Sequence, residues 1–200
     1  MTATLLIQTE TMPLTVSLPV PSMSREQFYA FCQANRNLRI EQNANGDVVV
    51  MPPAFSDTGN RNFNVAAHLW VWTEQDGTGL GFDSSTGFTL SNGAMRSPDA
   101  AWVKAERWEQ LTEVEKASFA PICPDFVIEL RSTSDRLKTL QAKLQEYIDN
   151  GALLGWLIDR QNRTVQVYRP GQVPQILENP AQVSGDPELP GFRLPMAKIW

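Results

Sequence analysis

Three side chains stand at positions that packing alone does not explain. Glu129 lies inside the apolar run Phe126-Val127-Ile128-Glu129-Leu130, which follows the turn signal Pro124-Asp125. Such a run, bounded by turn residues, reads as a buried strand. A carboxylate there is expensive to desolvate unless a cation or a proton accompanies it. Asp99 occupies a similar place, directly after Pro98 and before Ala100-Ala101-Trp102-Val103. The third residue, Lys143, belongs to a helical pattern in which Leu137, Leu140, Leu144, Tyr147 and Ile148 share about 100° of arc. It lies at the margin of that stripe, about 40° from Tyr147. Two buried acids form a hard-oxygen site of the kind that takes Mg²⁺ or Mn²⁺. An ammonium beside them can neutralise negative charge developing on a reacting group.

Ordinary roles are also open to each residue. Glu129 can serve as a buried ion-pair partner of Arg96, Asp99 as a turn residue after proline, and Lys143 as a surface lysine with its stem laid along apolar neighbours. His68 has no partner motif and reads as structural. Trp70 and Trp72 read as core and interface residues rather than base-stacking platforms.

The elements that must position these side chains can be read in order. Residues 1–23 carry weak alternation and three prolines, and suggest an extended N-terminal arm; residues 24–200 are expected to form one domain. Ser24-x-x-Gln27 is a capping box, opening a helix over 25–35. Residues 38–41 and 46–51 read as a hairpin. A second helix is expected over 60–75, with Phe63, Ala66, Ala67, Trp70 and Val71 on its buried face. Short strands follow over 79–83, 87–90 and 100–104, the last two joined by the Ser91-Asn92-Gly93 turn. The acidic stretch 107–116 reads as a solvated short helix. Ser132-Thr133-Ser134-Asp135 offers N-caps for the helix that carries Lys143. A further hairpin over 153–159 and 165–168 is expected to turn at Gln161-Asn162, and the Pro- and Gly-rich end holds one last short strand. This order gives an α/β (α+β) fold, a mixed central β-sheet flanked by helices.

Composition narrows the function classes. Of 200 residues, 42% are hydrophobic and 20% charged, with a net charge of −5, which supplies no global attraction to nucleic acid or anionic membrane. Cys32 and Cys123 are too far apart for a metal-ligand spacing and suit a reducing cytoplasm. Neither a signal peptide nor an 18-residue apolar run is evident. The absence of a Gly-rich phosphate loop disfavours nucleotide-binding folds.

A Pro-Asp step, a strand bearing Glu and then a basic residue make the pattern of PD-(D/E)XK nucleases. The stretches 46–53 (GDVVVMPP), 96–99 (RSPD), 124–130 (PDFVIEL), Lys143-Leu144-x-x-Tyr147, 155–159 (GWLID) and 189–192 (LPGF) together resemble the Uma-two family of endonucleases, abundant in cyanobacteria. The resemblance spans roughly residues 24–200. It implies a restriction-endonuclease-like core, Asp99 and Glu129 as catalytic metal-binding carboxylates, and Glu41 as a further acid at the site. The Glu-x-Lys position holds Arg131, whose guanidinium does not release a proton near neutral pH, so Lys143 resembles the migrated lysine of this superfamily. The implied cofactor is Mg²⁺ or Mn²⁺, which polarises a phosphoryl oxygen and activates water. The implied partner is DNA, held by a local basic patch of Arg131, Arg96 and Arg61, with Arg136 and Lys138 nearby. A cytoplasmic homodimer with no membrane association completes the expectation. The alternative is a nuclease-fold module with weak or lost chemistry, serving dimerisation or nucleic-acid binding. A two-carboxylate glycosidase explains neither the lysine nor the basic flank.

Overall fold

The computed structural model describes residues 23–51, 53–133 and 135–200; the expected arm, apart from Met23, lies outside the described residues. Ser24 opens α1 (Arg25–Ala34) with the anticipated reciprocal capping box, Gln27 N donating to Ser24 Oγ and Ser24 N to Gln27 Oε1. A hairpin of β1 (Arg39–Gln42) and β2 (Val48–Met51) follows. Phe28, Ile40, Val48 and Met95 form a small core between α1 and this hairpin.

The long helix α2 (Ser56–Asp76) ends at Gly77, whose φ of 69° is the left-handed conformation glycine adopts freely. Its buried face is not the expected one. Thr58, Asn62, Val65, Leu69 and Thr73 turn inward, while Phe63 is 72% exposed and Trp70 60%. The apolar stripe misleads because Val65 and Leu69 suffice to reach the core, and polar neighbours on their face are tolerated where hydrogen bonds satisfy them. Asn62 is such a neighbour, bonded to Asp99.

Next come β3 (Gly79–Asp83), β4 (Phe88–Thr89), β5 (Met95–Arg96) and β6 (Ala100–Lys104). The turn at 91–93 joins β4 to β5 rather than to β6, with Gly93 at φ 88°, so β4 and β5 complete a four-stranded sheet in the order β2-β1-β5-β4. The acidic stretch divides into α3 (Ala105–Glu109) and α4 (Glu113–Lys116), because the Thr112–Glu115 capping box starts a new helix.

β7 (Phe126–Arg131) runs parallel to β8 (Leu154–Asp159), and α5 (Leu137–Asp149) makes the crossover between them. The N-cap position of α5 is Arg136, with no side-chain cap; Asp135 instead accepts from Ser132 N at 2.8 Å and closes the preceding turn. β9 (Thr164–Tyr168) and β10 (Gln175–Glu178) extend a six-stranded sheet in the order β10-β9-β8-β7-β6-β3. The C-terminal region holds more than one strand: besides β10, β11 (Gln182–Ser184) pairs with β12 (Arg193–Pro195).

Alternation along β7 divides its side chains between two cores. Phe126, Ile128 and Leu130 join Val65, Leu69, Trp156 and the C-terminal Phe192 and Ile199 in one of them. Val127 packs on the opposite side with Leu144 and Tyr147 of α5. Glu129 shares the parity of Val127 and therefore faces α5. The result is a mixed sheet with helices on both faces. Among the described residues, no helix is long and apolar enough to cross a membrane.

Candidate active site

β6 and β7 are antiparallel neighbours, with Ala100 opposite Ile128, which brings Asp99 beside the end of β7. Asp99 N donates to Ile128 O at 3.0 Å, and Leu130 N donates to Asp99 Oδ2 at 2.8 Å. Its other oxygen, Oδ1, accepts from Asn62 Nδ2 at 3.1 Å and from Arg39 Nη1 at 3.5 Å. Arg39 Nη2 also holds Ser97 O at 2.8 Å.

One face of α5 meets the next acid along. Lys143 Nζ lies 2.8 Å from Glu129 Oε1 and 2.9 Å from Glu41 Oε1. One turn further, Tyr147 Oη donates to Glu129 Oε1 at 3.3 Å. The spacing i, i+4 places both groups over the same carboxylate. Glu41, on β1, also takes Ser97 N at 3.0 Å and Arg96 Nη1 at 3.3 Å. Arg96 in turn holds Glu146 at 2.6 Å and Asn43 at 2.8 Å. Glu129, Glu41, Lys143 and Arg96 thus form one buried ionic cluster, and the Asp99–Arg39 pair lies close enough to act on it through space. Glu129 pairs with Lys143, and Arg96 finds its acids in Glu41 and Glu146.

The electrostatics of the two glutamates differ, and so do those of the cations around them. Burial pushes the Glu129 carboxyl up to about 7; Lys143 opposes this, while Asp99 and Glu41 add to it. Burial would raise Glu41 as well, but Lys143 and Arg96 together hold it below the usual carboxylate range. Burial disfavours the Lys143 ammonium, yet Glu129 and Glu41 raise its pKa overall, so Lys143 remains a cation. Arg39 behaves alike: burial works against its charge and Asp99, Glu129 and Glu41 outweigh it. Tyr147 is raised well above its ordinary value, first by burial and then by Glu129 and Glu41, and stays a neutral donor.

Two sequence-identified arginines lie elsewhere. Arg131 shares the strand face of Glu129, but its Nη1 pairs with Asp159 Oδ2 at 2.8 Å on β8, and its Nε donates to Asp135 O. Arg61 pairs with Asp57 and donates to Ile199 O at 2.8 Å and Trp200 O at 3.3 Å, fastening the C-terminal end to α2. Sequence reasoning missed Arg39, Asn62 and Glu146. Arg39 had a usable signal, since it sits two residues from Glu41 on one strand face. Asn62 had none, being one of several asparagines on a polar-looking helix.

Among the described residues, no three His, Cys, Asp or Glu side chains cluster closely enough to hold an ion by themselves. Mg²⁺ needs fewer: it keeps several waters and takes one or two carboxylates. Next to Asp99, the buried Asn62 Oδ1 has no hydrogen-bond partner, and both contacts to Glu129 fall on Oε1. Asp99, Glu129 and that amide oxygen are a donor set of the right hardness for Mg²⁺ or Mn²⁺.

Two clefts approach the cluster. One, of about 620 Å³, lies between the end of α1, β1 and α2 and reaches Arg39, Asn62 and Asp99. The other, of about 610 Å³, lies between β2 and α5 and reaches Glu41, Arg96 and Lys143.

A mixed sheet with an acid at the head of one central strand, an acid within the next, and a lysine on the helix that follows defines a restriction-endonuclease-like protein. The chain belongs to the Uma2 family, described as "Putative restriction endonuclease", whose sequence profile matches residues 25–197. A solved structure, "a putative nuclease belonging to DUF820" from Anabaena variabilis ATCC 29413, has the same fold: the TM-score is 0.68 at 19% sequence identity, over 80% of this chain and 88% of that one. No curated protein matches the sequence.

Proposed function

We propose that this protein is a Mg²⁺-dependent endonuclease that hydrolyses phosphodiester bonds in DNA. The observation that carries the reading is the Lys143 ammonium lodged between Glu129 and Glu41 while Asp99 stands beside Glu129. Packing does not require a buried lysine between two acids, whereas a site that gathers negative charge during reaction does.

Asp99 and Glu129 would hold the ion, with Asn62 Oδ1 within the same donor set. Once bound, the ion supplies positive charge to the phosphoryl oxygens and lowers the pKa of a coordinated water. Lys143 contributes a fixed ammonium against the charge of the transition state. Burial alone would lower its pKa toward that of a base; the two carboxylates reverse that direction, so Lys143 acts as a charged donor and not as the proton acceptor. Glu41 positions Lys143 and, through Ser97 N and Arg96, ties β1 to the segment that leads into Asp99. Tyr147 orients Glu129.

One observation favours the second reading, a module without chemistry: Arg131, which stands at the Glu-x-Lys position of the strand, is committed to Asp159. The test is a Mg²⁺-dependent cleavage assay on single-stranded, duplex and branched DNA, with Mn²⁺ calorimetry alongside. Cleavage lost in Asp99→Asn and Glu129→Gln supports the enzyme; absence of both cleavage and Mn²⁺ binding in the native chain supports the module.

A further inference from the structure

We propose that the cleft between α1, β1 and α2 binds single-stranded nucleic acid, with Arg39 taking a backbone phosphate and Phe63 stacking on an unpaired base. The inference rests on the nuclease reading and names the strand form that reaches the site and the cleft through which it arrives.

Three observations converge on this cleft. The first is a cation only partly engaged. Arg39 lines the cleft with its side chain 29% exposed, and its contacts are a long one from Nη1 to Asp99 at 3.5 Å and one from Nη2 to Ser97 O. A guanidinium has more N–H groups than these two use, and a phosphate oxygen is the acceptor it fits best. By contrast, the cations of the second cleft next to the acids are bonded: Lys143 to Glu129 and Glu41, Arg96 to Glu41, Glu146 and Asn43.

The second observation is the ring of Phe63. It lines the same cleft and is 72% exposed, an uncommon place for a phenyl group on a helix that has apolar residues to spare. Trp70, two turns along the same face, is exposed as well. An aromatic ring and a cation lining one cleft are the parts that hold unpaired bases, whose rings stack without regard to sequence. Duplex DNA presents base edges in its grooves, and no ring face except at its ends. The arrangement therefore selects a single strand.

Charge is the third. Arg36 lines the cleft beside Arg39, and the acid at the far rim, Asp83, is turned back into its own loop, where Oδ1 accepts from Ser85 N and Oγ. The remaining acid, Asp99, is the candidate catalytic carboxylate. A strand whose phosphate meets Arg39 thus has that phosphate beside Asp99.

The experiment is fluorescence anisotropy with the metal-free full chain in chelator, using a short labelled oligothymidylate and a duplex of equal length. The native chain is expected to bind the single strand more tightly than the duplex. Phe63→Ala is expected to weaken single-strand binding by roughly 5- to 50-fold, with an unchanged melting temperature because the ring is exposed. Arg39→Gln is expected to reduce the slope of log affinity against log salt by about one phosphate contact. If Arg39→Gln does not fold, a steric pair decides: Gly59, in the first cleft, faces open space, so Gly59→Trp fills that cleft without touching the acids, while Thr139→Trp obstructs the other. Loss of binding in Gly59→Trp and not in Thr139→Trp supports the inference. The reverse pattern, tighter duplex binding, or a Phe63→Ala variant that binds normally but changes from dimer to monomer overturns it. Cleavage is scored separately. Binding through this cleft with no cleavage under any metal removes the nuclease reading alone, and cleavage unaffected by Phe63→Ala and Gly59→Trp removes the inference alone.

Discussion

Lys143 Nζ stands 2.8 Å from Glu129 Oε1, on the far side of the helix wheel from the exposed Lys138 and within reach of a second carboxylate on another sheet. The pair links α5 to β7, and through Glu41 it links the six-stranded sheet to the four-stranded one. Replacing Lys143 with Ala is expected to lower the single-turnover cleavage rate by about two to three orders of magnitude, the scale for losing one transition-state donor. Metal affinity should hold or rise, because an ammonium is not a ligand and its removal leaves the acids less neutralised. Rates at saturating DNA, set beside Mn²⁺ calorimetry, check this; an unchanged rate removes Lys143 from the chemistry.

Metal binding should depend on two acids and not on the third. Asp99→Asn and Glu129→Gln are each expected to weaken Mn²⁺ affinity at least tenfold. Glu41→Gln should leave it nearly unchanged, because Glu41 is paired with two cations, Lys143 and Arg96, whereas Asp99 meets Arg39 only at 3.5 Å and Glu129 is contacted at Oε1. Equal losses in all three variants in calorimetry would instead make Glu41 a ligand.

Arg131 is expected to matter for stability rather than turnover. Its partner Asp159 is fully buried and also accepts from Gln161 N, Asn162 N and Asn162 Nδ2. Removing one member of a buried ion pair is costly, and these remaining donors soften the cost. Arg131→Ala should destabilise by about 2 kcal/mol while sparing the single-turnover rate. Burial would raise the Asp159 carboxyl, but Asn162 and Arg131 hold it below its usual range, so its stabilising effect is present above the unfolded pKa and fades as pH falls. Denaturant melts near pH 7 and in mild acid check the loss and its direction.

How far the sequence carried these conclusions varies with the physics of each residue. Asp99 and Glu129 were legible because charge is out of place in an apolar strand. Lys143 was legible because a helix has one period, and its angle on the wheel turned it toward the sheet. The face of α2 was not legible, since counting apolar residues favoured Phe63 and Trp70, while the structure buries Asn62 through a hydrogen bond made across 37 positions of sequence. The same limit hid the engagement of Arg131 with Asp159: strand parity gave its side, and only the parallel pairing of β7 with β8 gave its partner. The start of α5 was misplaced because Asp135 served the turn before the helix rather than the helix itself.

Proton linkage at Glu129 should shape the pH profile of stability. The carboxyl ionises near 4.5 in an open chain and near 7 when folded, because burial, Asp99 and Glu41 together outweigh Lys143. Between those values the folded state binds more protons than the unfolded state, so stability falls as pH rises. Glu129 therefore stabilises most below about pH 4.5, and that contribution is lost as pH climbs through about 7, with a total on the order of 3 kcal/mol. Metal-free native protein should accordingly lose stability across that window, and Glu129→Gln, which cannot ionise, should show a much flatter profile. Above the folded pKa the variant is expected to be the more stable of the two despite losing an ion pair with Lys143, which keeps Glu41. Mg²⁺ should reverse the order by stabilising the native chain through binding to the folded state alone, while Glu129→Gln gains little. Denaturant melts across this pH range, with chelator and with Mg²⁺, measure all four cases. Parallel pH profiles for native and variant protein would place the titrating proton elsewhere in the cluster.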